Sequence, residues 1–478
     1  MTRPRRILVL TRHTPLPWED GAGAYLFGLL RFLHTQGFEI HVAWLAPHDH
    51  LRWQGSWALP PDFARVVSLH TPGAWRIGRR QVYPAVYWLP FKARVLHATK
   101  RLLGGAGLRV GKKPQNPYLR AEPTPAQPSA CGLPASDFSL PPAALSSPST
   151  GWMAAPSAAE HAYTARLGAR LRPDVLIVNY AWLTPLFAAV STTPPAHRAC
   201  LHPDVAWKRA ALQAALDGRA PEITRAAEAG LLARAQTIVG ISEADALELR
   251  AMAPSSAVVV APKSVAPQPQ PESGDTGRLL FVGSGNSFNA AGLSWFLTGV
   301  WPLVRAAEPT AEFDVCGNIA SAVRARPAGV HFHGMVGDLA PFYRAATVVV
   351  VPLLHATGLN IKLVDAAAQA RAVVTTSATL EGAPFLADAV ARADTPAAFA
   401  GAVLGLLREP AERQRLAGLA LGAVATALNP AACFGPLAAH LRQPATPSQI
   451  QFPVTLGPQP AAGQLATRPP AGAGVSHP

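Results

Sequence analysis

The sequence of 478 residues is poor in charge and in cysteine. Only 15% of its residues are charged, and its four cysteines lie far apart, at Cys131, Cys200, Cys316 and Cys433. No Cys-x-x-Cys pair and no cysteine–histidine group has metal-binding spacing, so neither a zinc site nor a disulfide framework is expected. Scattered free thiols are typical of a cytoplasmic protein.

Long apolar runs are also missing. A membrane-spanning helix needs about 18 or more consecutive apolar residues, and no run in the chain reaches that length. The first ten residues, MTRPRRILVL, combine a basic start with an apolar run that ends at Thr11. This run has the length of a β-strand and is too short for a signal peptide. The sequence therefore predicts a cytoplasmic protein without spanning helices.

Acidic residues are absent between Asp62 and Glu122, and the whole chain has a net charge of +14. Ten basic residues lie in this gap between positions 76 and 113: Arg76, Arg79, Arg80, Lys92, Arg94, Lys100, Arg101, Arg109, Lys112 and Lys113. Aromatic residues lie among them, and residues 75–103 read as one or two amphipathic helices. Two interpretations of the basic, aromatic segment 75–113 stay open: a solvated helix face, or peripheral attachment to a membrane. No DNA- or RNA-binding motif accompanies it, so nucleic acid is not expected as a partner.

Proline divides the chain. Eight of the 48 prolines lie between Pro123 and Pro156, where periodic patterns stop, and this favours a disordered insertion over residues 104–157. Residues 262–276 have the composition of a linker, and residues 443–478 that of a disordered tail. The predicted units are an amino-terminal domain over 1–261, a second domain over 277–428 and a terminal helical segment over 429–442.

Strand and helix patterns alternate in both domains. The first begins with the apolar run RILVLT, a turn at Gly21 and Gly23, a helix over 24–36 and a strand over 38–45. This β–turn–α–β order is the beginning of a doubly wound sheet, and a second series of the same kind begins at Arg278. The sequence predicts an α/β protein with two Rossmann-like domains. His13, Gly21 and Gly23 are the residues expected to line the cleft on the first-domain side.

Three turns of the second domain follow strands, where doubly wound sheets bind ligands. They are contained in FVGSGNSFNAAGL, DVCGN and VPLLHATGLNIKLVDA. In the third, Gly358 precedes a helix that carries Lys362 and Asp365 one turn apart. A helix amino terminus offers unpaired N–H groups and partial positive charge, to which Lys362 adds a full charge. This arrangement suits a diphosphate, and Asp365 could accept hydrogen bonds from ribose hydroxyls.

These segments resemble the nucleotide-sugar-binding domain of the GT4-type, or group 1, glycosyltransferases of the GT-B fold. The resemblance covers about 150 residues and lies in the order of the motifs FVG…NAAGL, VCG, GMVGDL, GLNIKLVDA and EG. It implies two domains that face each other across a cleft. The donor-binding residues that it implies are Gly283, Ser284, Asn289, Gly317, Gly334, Thr357, Gly358, Leu359, Asn360, Lys362 and Glu381.

The same resemblance implies catalytic residues. The segment CLHPDV is similar to a family motif whose histidine lies near the reacting sugar, so His202 is the candidate, with a buried structural histidine as the alternative. The paired acids of the family fall on Thr357 and Asp365, so the first acid is absent and the second is shortened. The implied reaction retains configuration, requires no metal and uses no cofactor besides the nucleotide sugar as co-substrate.

The sequence thus predicts a retaining glycosyltransferase with a glycan or lipid-linked acceptor, in envelope or exopolysaccharide assembly. Because the first acid is lost, a catalytically weak relative that binds a nucleotide sugar as a sensor or partner subunit is the main alternative. A sugar-nucleotide epimerase on the same fold and a membrane-surface scaffold are further alternatives. The location expected is cytoplasmic, with possible peripheral contact to the inner face of the membrane.

Overall fold

The computed structural model describes residues 3–16, 21–46, 56–83, 153–218, 220–271, 277–356 and 358–443. Its strands are β1 Arg6–Thr11, β2 Glu39–Trp44, β3 Ser56–Ala58, β4 Ser68–His70, β5 Trp75–Ile77, β6 Arg80–Val82, β7 Val175–Asn179, β8 His197–Leu201, β9 Thr237–Gly240, β10 Ala257–Val260, β11 Arg278–Val282, β12 Glu312–Cys316, β13 Val330–Gly334, β14 Val348–Val351, β15 Val373–Thr375 and β16 Ala391–Arg392.

Two large sheets contain most of these strands. The first has the order β10-β9-β8-β7-β1-β2-β4 and the second β13-β12-β11-β14-β15-β16. Every strand pair in both sheets is parallel. Parallel sheets are covered by helices on both faces, which is why β1 and β14 are continuous apolar runs without alternation. The predicted α/β fold with two Rossmann-like domains is confirmed.

Helices connect the strands. They are α1 Gly21–Thr35, α2 Pro61–Val66, α3 Ala158–Leu171, α4 Ala206–Asp217, α5 Arg225–Leu232, α6 Glu243–Met252, α7 Ser287–Trp295, α8 Trp301–Ala307, α9 Ala340–Ala345, α10 Ile361–Ala368, α11 Ser377–Leu380, α12 Pro396–Arg408, α13 Pro410–Ala427 and α14 Pro430–Arg442. Short polar side chains begin several of them. Ser242 caps α6, as its position in the sequence predicts, and Ser157 forms a capping box with Glu160 at the start of α3.

Three local predictions are wrong. The glycines at 21 and 23 belong to the first turn of α1 and not to a turn before it. The strand expected over residues 64–69 is instead the end of α2 followed by β4. The basic segment begins as strands β5 and β6, which pair with β3 in a small antiparallel sheet, and not as an amphipathic helix. Residues 84–113 of that segment lie outside the described residues.

Helix α14 packs against the first domain. On α14, Phe434 packs against Tyr25 and Phe32 of α1, and His440 Nε2 lies 2.8 Å from Thr237 Oγ1. The stretch Pro410–Arg442 has the length and apolar composition of a membrane span. Here it is two helices, and the core contains apolar residues of both, among them Val424 of α13 and Phe434 of α14.

Candidate functional site

The turns that follow β11, β12 and β13 lie side by side at the carboxyl edge of the second sheet. The N–H of Gly283 donates to the carbonyl of Cys316 (2.9 Å), and that of Gly317 donates to the carbonyl of Gly334 (2.7 Å). Gly317 has φ +105°, and a Cβ atom there would overlap the Gly283 carbonyl oxygen. Only glycine permits this approach of two backbones. Three of the residues predicted from sequence therefore form one continuous edge.

The turn after β11 is held by its own side chains. Asn289 is buried, and its Nδ2 donates to the Ser284 carbonyl (2.7 Å) while Ser284 Oγ lies 3.2 Å away. Asn286 caps α7 by accepting from the Asn289 N–H. Ser284 itself is exposed. Asn289 thus positions the turn, and direct contacts of Ser284 or Asn289 with a donor stay predictions.

The Gly358 turn forms the start of α10. Gly358 has φ +63°, and Asn360 accepts from the Leu363 N–H (3.3 Å) as the helix cap. The first N–H groups of a helix have no partner within it, so this end can receive an anion. Leu359 points into the core, whereas Glu381 is exposed. Thr357, the position of the lost acid, lies outside the described residues.

Gly382 presses against this turn. A Cβ atom at Gly382 would overlap the Gly358 carbonyl oxygen and would lie 2.5 Å from the Gly358 carbonyl carbon. The sequence pair Glu381-Gly382 therefore matters through its glycine, because the loop after α11 supports the back of the Gly358 turn. Sequence reasoning selected the glutamate and missed the glycine's packing role.

Gly358 faces the first domain. A Cβ atom built on it would lie 2.9 Å from Asp245 Oδ2 and 3.9 Å from the Pro203 carbonyl oxygen, at the carboxyl ends of β9 and β8. A second bridge between the domains joins Ser287 Oγ of α7 to Asp217 Oδ1 of α4 (2.5 Å). The amino end of α10 therefore lies between the two sheets, where two doubly wound domains meet.

Burial shifts the pKa values of both charged residues of α10, Lys362 and Asp365. Burial lowers the pKa of Lys362 to about 8, against the opposing effect of Asp365. Burial also raises the pKa of Asp365, which Lys263 and Lys362 counteract, and Lys263 Nζ lies 4.0 Å from Asp365 Oδ1. A groove of about 370 Å³ adjoins this pair. Its lining includes Lys263, Asp338, Leu339, Tyr343 and Asp365.

Two neighbouring carboxylates lie in the first domain, and one of them, Asp245, approaches the same turn. Asp245 is buried, accepts from Ser242 Oγ (2.7 Å), and has a pKa that burial and the neighbouring Asp204 raise. Asp204 Oδ1 is buried without a hydrogen-bond partner among the described residues, while its Oδ2 pairs with Arg209 Nε (3.1 Å). A buried carboxylate oxygen without a donor can still accept a hydrogen bond from a hydroxyl group. Neither aspartate was selected from the sequence, because each precedes or begins a helix, where acids are ordinary.

His13 follows β1 and lies in a row of rings. Its centroid is 4.9 Å from that of Tyr180, which stacks on Trp182 at 4.6 Å. Tyr180 has φ +77°, a conformation that is uncommon outside glycine and often found at functional sites. His13, Tyr180 and Trp182 thus form a row of aromatic rings in the first domain, at the carboxyl ends of β1 and β7. The acceptor-side role predicted for His13, Gly21 and Gly23 stays a prediction.

His202 is placed differently from the sequence expectation. It is fully buried, its Nδ1 accepts from the Ala181 N–H (3.3 Å), and its Nε2 lies 2.5 Å from Glu228 Oε1. Both ring nitrogens are therefore engaged inside the first domain, and neither faces the Gly358 turn. This placement favours the alternative of a buried structural histidine, and the catalytic role of His202 stays a prediction.

Glu228 is the partner that makes this histidine structural. Its carboxylate also accepts from the N–H groups of Ala206 (2.9 Å) and Trp207 (2.7 Å), which begin α4. Glu228→Gln is expected to lower the free energy of unfolding by about 3 kcal/mol, because a buried charged network loses a partner. Urea unfolding measures this, with Glu243→Gln, an exposed glutamate of α6, as the control. Unchanged stability together with abolished transfer would instead assign His202 and Glu228 to catalysis.

Comparison with known proteins agrees with this geometry. Residues 276–409 match the family described as "Glycosyl transferases group 1". The chain has the GT-B fold, and its second domain matches the group 1 glycosyltransferase family. The family match covers the second sheet from β11 to α12, including the Gly283, Gly317 and Gly358 turns. A search of the curated proteins finds no match to this chain.

Solved structures share its fold at low sequence identity. Sucrose-phosphate synthase from Thermosynechococcus elongatus superposes with a TM-score of 0.58 at 14% identity, over 92% of this chain and 98% of that one. Anabaena Alr3699/HepE in complex with UDP-glucose gives 0.54 at 10%, over 91% and 99%. TarM gives 0.51 at 10%, over 59% of this chain, and this chain spans 58% of TarM's length. At such identities the likeness shows the fold alone.

Metal ligands do not cluster in the described part of the chain. No group of three His, Cys, Asp or Glu side chains there is arranged to hold an ion. The metal-independent reaction implied by the family resemblance stays a prediction.

Proposed function

We propose that this glycosyltransferase moves a sugar from a nucleoside-diphosphate donor to a glycan or lipid-linked acceptor with retention of configuration. The setting proposed is cytoplasmic, in envelope or exopolysaccharide assembly. The observation that supports this most is the position of the Gly358 turn. It directs the amino end of α10 toward the first domain, with Lys362 in the first turn of the helix.

The donor is proposed to lie across the second sheet's carboxyl edge. Its diphosphate would receive hydrogen bonds from the first N–H groups of α10 and a charge from Lys362. Its nucleoside would extend toward the groove beside Lys263 and Asp365, where the Asp365 carboxylate can accept from ribose hydroxyls. Residues Gly283, Gly317 and Gly334 would leave room for the donor, since none carries a side chain.

The sugar is proposed to face the first domain. Asp245 approaches Gly358 from that side, its neighbour Asp204 has a buried oxygen without a partner among the described residues, and such oxygens accept hydrogen bonds from sugar hydroxyls. As the bond from the anomeric carbon to the diphosphate breaks, negative charge collects on the leaving diphosphate. Fixed N–H groups and the Lys362 ammonium would stabilise that charge without reorganising.

Donor binding and turnover are separate measurements. A thermal-shift screen with nucleoside diphosphates and their sugars reports binding, because a ligand of the native state raises the unfolding temperature. UDP-glucose is the first donor to test, since HepE was solved with it. Release of the diphosphate from a bound donor supports the proposed enzyme. Binding without any release would instead favour the sensor, and no shift with any nucleotide sugar would exclude both.

A further inference from the structure

Strands β5 and β6 form a hairpin at the surface of the first domain. They join through Gly78, which has φ +59°, and Arg79. The register pairs Trp75 with Val82 and Ile77 with Arg80. Because side chains alternate across a strand, Trp75 and Ile77 project from the same face of the hairpin.

That face is exposed. Trp75 retains 66% of its accessible surface and Ile77 retains 62%, and all residues from 75 to 80 are exposed. Single exposed apolar residues are common on protein surfaces and need no explanation. A tryptophan and an isoleucine adjacent on one strand face, left uncovered by the residues that the structure describes, form a patch that favours a partner.

The opposite face anchors the hairpin. Gln81 is buried, its Nε2 donates to the Leu69 carbonyl (3.3 Å), and its Oε1 accepts from Thr71 Oγ1 (3.2 Å). Tyr83 donates to the same threonine oxygen (3.2 Å). The exposed face is thus presented by a strand pair fixed to the first sheet next to β4.

The charge around the patch has one sign. Arg80 pairs with Ile77 on the same face and Arg79 lies in the adjoining turn, both exposed, and no acidic residue occurs between positions 62 and 122. Apolar side chains that can enter an interface, together with arginines that pair with anionic headgroups, match the chemistry of an acidic lipid surface. A nucleic acid would use the arginines but would leave the isoleucine without an apolar partner.

We propose that the β5–β6 hairpin is a docking element for an anionic membrane surface, with Trp75 and Ile77 inserted among headgroups and Arg79 and Arg80 contacting phosphates. Docking holds the cleft of the first domain near a lipid-linked acceptor. The attachment is peripheral and depends on salt, because exposed charges are screened.

Co-sedimentation of the full chain with vesicles tests the proposal. Vesicles of phosphatidylcholine with about 30% phosphatidylglycerol are expected to bind at least about tenfold more protein than pure phosphatidylcholine vesicles. W75S/I77S is expected to reduce binding about tenfold, and R79E/R80E to reduce it similarly at low salt. The matched control is L247S/M335S, whose residues are 71% and 70% exposed at separate places.

Equal binding of wild type and W75S/I77S, equal binding to the two kinds of vesicle, or an equal loss in L247S/M335S would overturn the proposal. So would tight binding to duplex DNA or RNA in the absence of vesicle binding. The nucleotide-sugar thermal shift of each variant is measured alongside. Because the hairpin is remote in sequence and structure from the Gly358 turn, an unchanged shift shows that folding and donor binding are intact whatever the vesicles show.

Discussion

Replacement of Gly382 by alanine is expected to weaken nucleotide-sugar binding and transfer by about 100-fold, the cost of misplacing a binding group by about 1 Å. The new Cβ atom would overlap the carbonyl oxygen of Gly358 and come within 2.5 Å of its carbonyl carbon. Those atoms belong to the backbone and cannot swing aside like the end of a flexible side chain. The Gly358 turn must therefore move, and with it the amino end of α10.

Isothermal titration with UDP-glucose, or with the donor found in the thermal-shift screen, measures this effect. Gly401→Ala is the matched control, because an added Cβ there has no atom within 4 Å and lies in the middle of α12. Circular dichroism of both variants checks that the fold persists. Wild-type affinity in a folded Gly382→Ala protein would show that the donor does not depend on the Gly358 turn.

Lys362→Met is expected to lower the kcat/KM for the donor by about 100-fold, because a charge-assisted contact to the diphosphate disappears while the aliphatic stem remains. The wild-type enzyme should also show a pH dependence that the variant lacks. Burial brings the pKa of Lys362 to about 8, so the free protein loses this charge as the pH rises through that value. Donor affinity should then fall by up to about tenfold per pH unit above pH 8.

Lys362→Arg separates charge from position. Arginine stays protonated throughout this range, so the decline in donor affinity above pH 8 should vanish in this variant even if its affinity at pH 7 is lower. The diphosphate itself is fully ionised over the range and contributes no decline. A wild-type affinity that is independent of pH between about 7 and 10, or an Arg variant with the same decline, would exclude Lys362 as the diphosphate cation.

The fold follows from local sequence patterns because parallel strands are buried on both faces. The sequence alone shows the apolar runs at β1 and β14, which predict the doubly wound architecture. It also shows the glycines at 283 and 317, which predict the edge of the site. The sequence pattern predicts a helix where the structure has the β5–β6 hairpin. The aromatic and basic residues there fit a helical spacing as well as the two-residue alternation of Trp75 and Ile77.

The candidate site depends on contacts that no local pattern contains. Asp245 approaches Gly358 across 113 positions of sequence, so its position facing the turn follows from how the two domains pack. The burial of His202 is set by Glu228 and by the backbone of Ala181, which belong to other elements. A motif identifies a residue type at a place in the chain, whereas the direction of a side chain is decided by its tertiary neighbours.

The return of α14 to the first domain has a consequence for how the protein is made. Domains fold as units while the ribosome synthesises them from the amino terminus. The face of α1 that contains Tyr25 and Phe32 receives Phe434 only after the whole second domain has been translated. Until then the nascent first domain exposes this apolar surface to solvent, so its native assembly is completed only when α14 has left the exit tunnel.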